Sequence, residues 1–358
     1  MRKISQNIAT SFLAGKPLHI DNTYIYQGGD YNLEELFSLE DITEKARDFA
    51  LAIIPEKLDE MWKILDQDFP PSIEIGSHCT SPYKCPFYGH CHQDLPDHPI
   101  RELPRSSKKL RDNLKDSGIE DIRKIPKDYP GLNDLQKRVI SCVETDALYI
   151  SPEAPEIIAR ILYPLSFIDF ETFNPALPIY HLTRPFQPIP FQWSLHIQYL
   201  SGQLEHQDFL YENSEDPRLR FVESLLDAIP DVGTIIAYSG YEESTIKQLA
   251  TVFPEFENEL LALSGRIFDL LKLIRDHYYH PEFHGSFSIK SVLPAIVPNM
   301  GYSDLAIQHG LIAAIDFGKL ISPATPGPVK DKTKQALLGA KTWRSIKMIK
   351  IFSTYQNL

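Results

Sequence analysis

The chain of 358 residues carries 36 Lys and Arg against 48 Asp and Glu, for a formal net charge of −12, with 43% hydrophobic and 23% charged residues. Such a composition suits a soluble globular protein of roughly two domains, and its acidity argues against tight nonspecific nucleic-acid binding as the main task. A nuclease stays open, because metal ions neutralise an acidic site; a membrane span does not, because no apolar run reaches ~18 residues.

The opening residues, 1–16, are too polar for a secretory signal, so a cytoplasmic protein is expected. Residues 1–75 read as an incomplete start. His19 to Gln27 alternates enough for a strand. Leu33 to Phe37 and Ile42 to Glu44 lead into a long amphipathic helix, with Thr43 as its N-cap. Ala46, Phe49, Ala50, Ile53, Leu58, Met61, Trp62 and Leu65 recur at helical spacing, and Pro55 predicts a kink or two helices. One strand and one helix bury little, so this segment is expected to lean on a later domain or a partner.

Residues 76–98 contain Cys79, Cys85 and Cys91 at even spacing, with His78, His90 and His92 beside them. Clustered cysteines in a cytosolic chain point to metal rather than to disulfides. Thiolate and imidazole hold zinc, and thiolates hold iron–sulfur clusters. The spacing is not a zinc-finger knuckle, and the fourth ligand stays open among the three histidines and Cys142. A metal-free loop held by Pro82, Pro86 and aromatics is the bland alternative. Residues 99–158 read as a helical connector, locally basic at Arg101, Arg105, Lys108, Lys109, Arg111 and Lys115. This basic face either touches phosphates or is simply solvated. Cys142 falls on an amphipathic helix with Leu135, Val139, Ile140 and Val143, where a core thiol is expected.

Residues 159–358 are expected to form an α/β domain. Leu165 to Phe170 is a short buried strand. Phe191 to Leu200 and Gln203 to Leu210 form a hairpin with Gly202 in its turn. A helix starts at Pro217, a strand follows at Thr234 to Tyr238, then a helix at Glu242 to Val252 and a strand at Ile267 to Leu270. Helices are predicted at Ser288 to Leu293, Asp304 to Ile312 and Lys334 to Phe352. Three strands with a hairpin, then alternating helix and strand, is the order of an RNase H-like mixed sheet flanked by helices.

The chemistry concentrates at Asp169 and Glu171. Residues i and i+2 of a strand point to one face, so two carboxylates leave an apolar strand together where it ends. Burying them unpaired is costly, and a hard divalent cation removes the conflict. The alternative is a surface acid pair. Glu242, at a strand-to-helix corner, can reach the same cation if the strands are neighbours, although the helix dipole alone also favours an acid there.

Several stretches resemble a known family: residues 75–91, 167–180, 183–197, 237–250 and 278–298. It is an uncharacterised bacterial and archaeal family, domain of unknown function 2779, joining a RecB-like nuclease region to an RNase H-like DEDD exonuclease domain. The resemblance implies a metal-dependent 3′-5′ exonuclease acting on DNA or RNA, with Asp169, Glu171 and Glu242 holding Mg²⁺ or Mn²⁺ and Ser288 and Lys290 lining the substrate groove. It implies that residues 1–75 are the tail of the RecB-like region, that Cys79, Cys85 and Cys91 hold a 4Fe-4S cluster or Zn²⁺, and that the partners are single-stranded nucleic acid or its ends and a separate RecB-like polypeptide. It also implies a last acid on the C-terminal helix. The frame from Ala336 to Met348 aligns without a gap, and Arg344 stands where that aspartate is expected, with Ala340 and Lys341 replacing a tyrosine and a cysteine. A guanidinium there adds a repulsion of a few kcal/mol at an effective dielectric of about 20, and it cannot deprotonate. Asp316 or Asp331 is the available substitute acid. The implied activity is accordingly weakened or absent, and the alternative is a nucleic-acid- or protein-binding relic, served by the basic run Lys330, Lys332, Lys334, Lys341, Arg344, Lys347 and Lys350.

Overall fold

The computed structural model describes residues 15–297, 300 and 310–356, with the backbone alone at 310 and 340–343. The chain divides into two units, Met1–Asp94 with Pro175–Gln187, and Leu95–Asn174 with Pro188–Leu358.

In the first unit, β1 (Leu18–Ile20) pairs antiparallel with β2 (Phe37–Leu39). The strand expected to reach Gln27 stops early because the Asp21 carboxylate accepts bonds from Thr23 N and Oγ1, at 2.8 and 2.6 Å, which turns the chain. Beyond the turn, Tyr26 pairs with a distant segment: Tyr26 N donates to Thr183 O and Leu182 N donates to Tyr26 O. Thr43 is the first helical residue rather than the cap, and its amide and hydroxyl donate to Asp41. The helical run has three parts: Thr43–Asp48, a π-turn at Phe49–Ile53, and Ile54–Leu65. Pro55 sits in the first turn of the last part, where its missing N–H costs no hydrogen bond, and the π-turn before it absorbs the break.

The second unit is organised on a five-stranded sheet. A short β3 (Tyr149–Ile150) precedes β4 (Leu165–Phe173), β5 (Ile189–Gln198), β6 (Leu204–Leu210), β7 (Thr234–Ala237), β8 (Ile267–Asp269) and β9 (Tyr278–Tyr279). The sheet order is β6-β5-β4-β7-β8, and β3 pairs separately with β9. Within the sheet β4, β5 and β6 are antiparallel neighbours, while β7 runs parallel to β4 and β8 parallel to β7. The expected mixed α/β sheet flanked by helices is thus present. β4 and β7 start in contact. Gly233 has φ +93°, and a Cβ on it would lie 2.1 Å from Pro164 O, so only glycine fits this approach.

The alternation of β4 sorts its side chains between two cores. Ile168 and Phe170 pack with Phe221, Leu225 and Leu249 from the helices Arg218–Ala228 and Tyr241–Val252. Leu165 and Phe167 pack on the opposite face with Ile140, Ile274, Met348 and Phe352. Asp169 and Glu171 continue that second face, toward the long helix Gly327–Gln356. That helix extends both ends of the expected Lys334 to Phe352. The helix expected at Asp304 begins outside the described residues; from Gly310 a helix runs to Ile321. No helix among the described residues is long and apolar enough to cross a membrane.

Candidate functional site

β4 carries Asp169, 7% exposed, and Glu171 to its end, where the register with β5 shifts between Glu171 and Thr172. The shift skips Phe191 of β5, a bulge of the kind that re-aims side chains beside functional sites, and pairing resumes at Thr172 with Pro190 and Phe173 with Ile189. The neighbouring β7 stops at Ala237, and the chain turns through Tyr238, Ser239 and Gly240 into the helix Tyr241–Val252. Ser239 holds φ 142°, a conformation that favours glycine, and strain of this kind is often held at functional corners. Glu242 lies in the first helical turn and is buried, where the helix dipole favours its charge. Tyr241 OH meets Thr172 Oγ1 at 2.6 Å and fastens the helix start to the end of β4. These elements enclose a cavity of about 510 Å³ lined by Asp169, Glu171, Glu242, Tyr238, Tyr241 and Arg344 among others. The two parallel strands therefore bring all three candidate acids to one cavity.

Arg344 arrives from the long helix, whose register on β5 is fixed by polar contacts. Gln192 Nε2 donates to Leu337 O at 3.0 Å. Ser345 Oγ lies 3.0 Å from Ser194 Oγ and 2.8 Å from His196 Nδ1. One residue earlier, Arg344 Nη1 donates to Glu171 Oε1 at 3.2 Å and lies 3.7 Å from Asp169 Oδ1. The arginine that replaces the expected acid therefore sits against both carboxylates of β4. Lys347, one turn on, is 1% exposed, and Lys334 pairs with Glu212, so the basic run is not one solvated face. The side chain of Lys341 lies outside the described residues.

Three carboxylates are a donor set that a hard divalent cation takes readily. The arrangement around them is not. A permanent positive charge already stands at the Asp169–Glu171 pair. Among the described residues, three His, Cys, Asp or Glu ligand atoms gather within 4.8 Å of one another only at His98, Glu102 and His284. As arranged, the cavity residues do not fit a two-cation centre.

Ile289 lines the cavity, while Ser288 and Lys290 on either side of it are exposed. Asp316 pairs with Lys319 at 2.8 Å and Asp331 is exposed, so neither acid joins the site. In the first unit Cys79 is buried, Cys85 half-buried and Cys91 exposed, all as free thiols. The Cys85 amide donates to Cys79 O at 2.9 Å, but the three sulfurs do not gather as a ligand group. Cys142 is a core thiol, pushed up in pKa by burial. In the connector, Lys108 pairs with Asp112, Arg123 with Asp121 and Lys127 with Glu144, so part of its positive charge is met by neighbouring carboxylates. The His98–Glu102–His284 cluster had no local signal in the sequence, since its members are up to 186 positions apart.

Residues 166–288 match the family described as a domain of unknown function, DUF2779. This stretch spans β4 through β9 and includes Asp169, Glu171 and Glu242, and it stops before Arg344. No curated protein and no solved structure matches the chain.

Proposed function

We propose that the second unit is an RNase H-like, DEDD-type exonuclease domain whose two-metal hydrolysis is disarmed by Arg344 and which acts by binding single-stranded nucleic-acid ends. The single observation that carries this reading is the Arg344 guanidinium held against Glu171 and Asp169 at 3.2 and 3.7 Å. Two-metal hydrolysis needs paired cations at such carboxylates, and a cation that cannot lose its charge opposes them. Support for the fold comes from the sheet, with three antiparallel strands followed by two parallel to the first. Support for the ligand comes from the lining. Tyr238, Tyr241 and Arg344 are the side-chain types that stack on unpaired bases and hold phosphates.

A second reading, a working Mg²⁺- or Mn²⁺-dependent 3′-5′ exonuclease, is favoured by one observation: Asp169, Glu171 and Glu242 all remain on the cavity. One experiment separates the two. End-labelled single-stranded DNA and RNA are incubated with Mg²⁺ or Mn²⁺ and the wild type, Asp169→Ala or Arg344→Asp, and binding is followed by anisotropy. The disarmed reading expects binding without cleavage by the wild type and metal-dependent cleavage by Arg344→Asp. Cleavage by the wild type that is lost in Asp169→Ala would establish the second reading instead.

A further inference from the structure

We propose that His98, Glu102 and His284 form a zinc-class metal site that staples the connector of the second unit to the turn before its helix Ile289–Ile296. Both imidazoles converge on one oxygen. His284 Nδ1 lies 3.0 Å from Glu102 Oε2, and His98 Nδ1 lies 3.9 Å from the same atom. The rings stack with centroids 5.1 Å apart and planes at 21°. A cation between the two nitrogens and the carboxylate satisfies all three. With zinc–ligand bonds of about 2.0–2.2 Å, tetrahedral ligand atoms stand about 3.3–3.6 Å apart; the two nitrogen–oxygen distances, 3.0 and 3.9 Å, bracket that spacing, and the three ligand atoms all lie within 4.8 Å of one another.

The backbone holds the three ligands in place before any metal arrives. Ile122 N donates to His98 O and Ile100 N donates to Glu120 O, which pins the ligand-bearing turn Ile100–Glu102 to the next segment. Ile100 and Leu103, beside Glu102, are core residues, as is Phe283, beside His284. His284 itself adopts φ 47° at the end of the turn Pro281–Phe283. The following Gly285 has φ +73°, and a Cβ there would lie 1.7 Å from Glu102 O, so the two ligand-bearing backbones touch. Ligands fixed on rigid, mutually packed segments make a preorganised site. Two histidines and one carboxylate match the donor set of zinc sites that keep a fourth position for water, and the half-exposed His284 leaves room for one. The plain alternative is a hydrogen bond from His284 to Glu102 with no metal.

The test is Co²⁺ and Zn²⁺ uptake by the full chain, compared with His284→Asn, His98→Asn and the near-isosteric Glu102→Gln. Co²⁺ reports geometry by its visible absorption and reports sulfur ligation by a thiolate charge-transfer band. The expected result is one equivalent with tetrahedral absorption and no thiolate band, lost in all three variants. Each loss should exceed the roughly 10–100-fold that removal of a supporting partner alone costs. Zn²⁺ should raise the melting temperature of the wild type and not that of His284→Asn, whose exposed side chain can be changed without disturbing the core. Equal uptake by the wild type and His284→Asn, or the same melting shift in both, overturns the proposal.

Discussion

Two helices of equal length, Ile54–Leu65 and Asp134–Thr145, carry apolar stripes of the same period and meet opposite fates. Asp134–Thr145 buries Val139, Ile140, Cys142 and Val143 and starts at a full capping box, Asn133 with Gln136. Ile54–Leu65 has no buried residue and no side-chain cap, and leaves Met61, Ile64 and Leu65 at 58, 41 and 71% exposure. Periodicity decides that a segment is helical and which face is apolar. Whether that face is worth anything to stability is decided by what covers it, and that is not written in the segment.

The contrast breaks first at Ile140. This residue is 0% exposed in the core under β4. Ile140→Ala is expected to cost about 2–5 kcal/mol by lost burial and a residual cavity. Ile64→Ala should stay within about 0.5 kcal/mol, as exposed substitutions do. Urea unfolding of both variants checks the pair. Equal losses would mean that exposure fails to separate the two helices.

The same distinction explains what could be read from the sequence. The strands β4 to β8 were legible from local signals: short apolar runs at β4, β7 and β8, with Pro164 before β4, and a hairpin turn at Ser201-Gly202 between β5 and β6. The shared face of Asp169 and Glu171 was legible because strand period is a local rule. The position of Arg344 at these acids followed from a frame, not from chemistry along the helix. The pairing of Tyr26 with Thr183, the two-residue strands β3 and β9, and the bond from His284 to Glu102 were not legible. Each joins residues more than 120 positions apart, and distant pairing leaves no period in either partner. The turn at Asp21 was readable in principle, since Asp with Thr two residues on is a recognised local hydrogen-bonding pattern.

Polar residues obey the same rule of cover, and His196 sharpens it. On β5 it is 3% exposed, bonded to Ser345 and close to the ring of His206. Burial, and then the neighbouring His206, lower its pKa to about 4. An unfolded imidazole titrates near 6.5. Between these values the unfolded chain binds a proton that the folded chain refuses, so stability falls as pH drops from about 6.5 toward about 4, by about 3 kcal/mol from this group. Above that window His196 contributes no pH dependence. Urea midpoints measured across the window should show a step in the wild type that is absent in His196→Gln. A step of the same size in both proteins would assign it to other groups. His196 holds Ser345, next to Arg344, so acid should also loosen the arginine's position over the carboxylates.

The smallest effect is expected where the contrast is sharpest, at Leu65. Its side chain is 71% exposed at the end of Ile54–Leu65. Replacing it with Lys removes apolar surface that no neighbour covers, and lysine is as good a helix former as leucine to within a few tenths of a kcal/mol. A cation in the last turn also complements the negative end of the helix dipole, a gain of about 0.3–1 kcal/mol. The two small terms leave the unfolding free energy of Leu65→Lys within about 1 kcal/mol of the wild type. Its solubility should rise, because an exposed apolar stripe favours association. A loss of about 2 kcal/mol or more would be the informative failure. It would require Leu65 to be covered in solution, and the apolar face of this helix would then be packed like that of Asp134–Thr145.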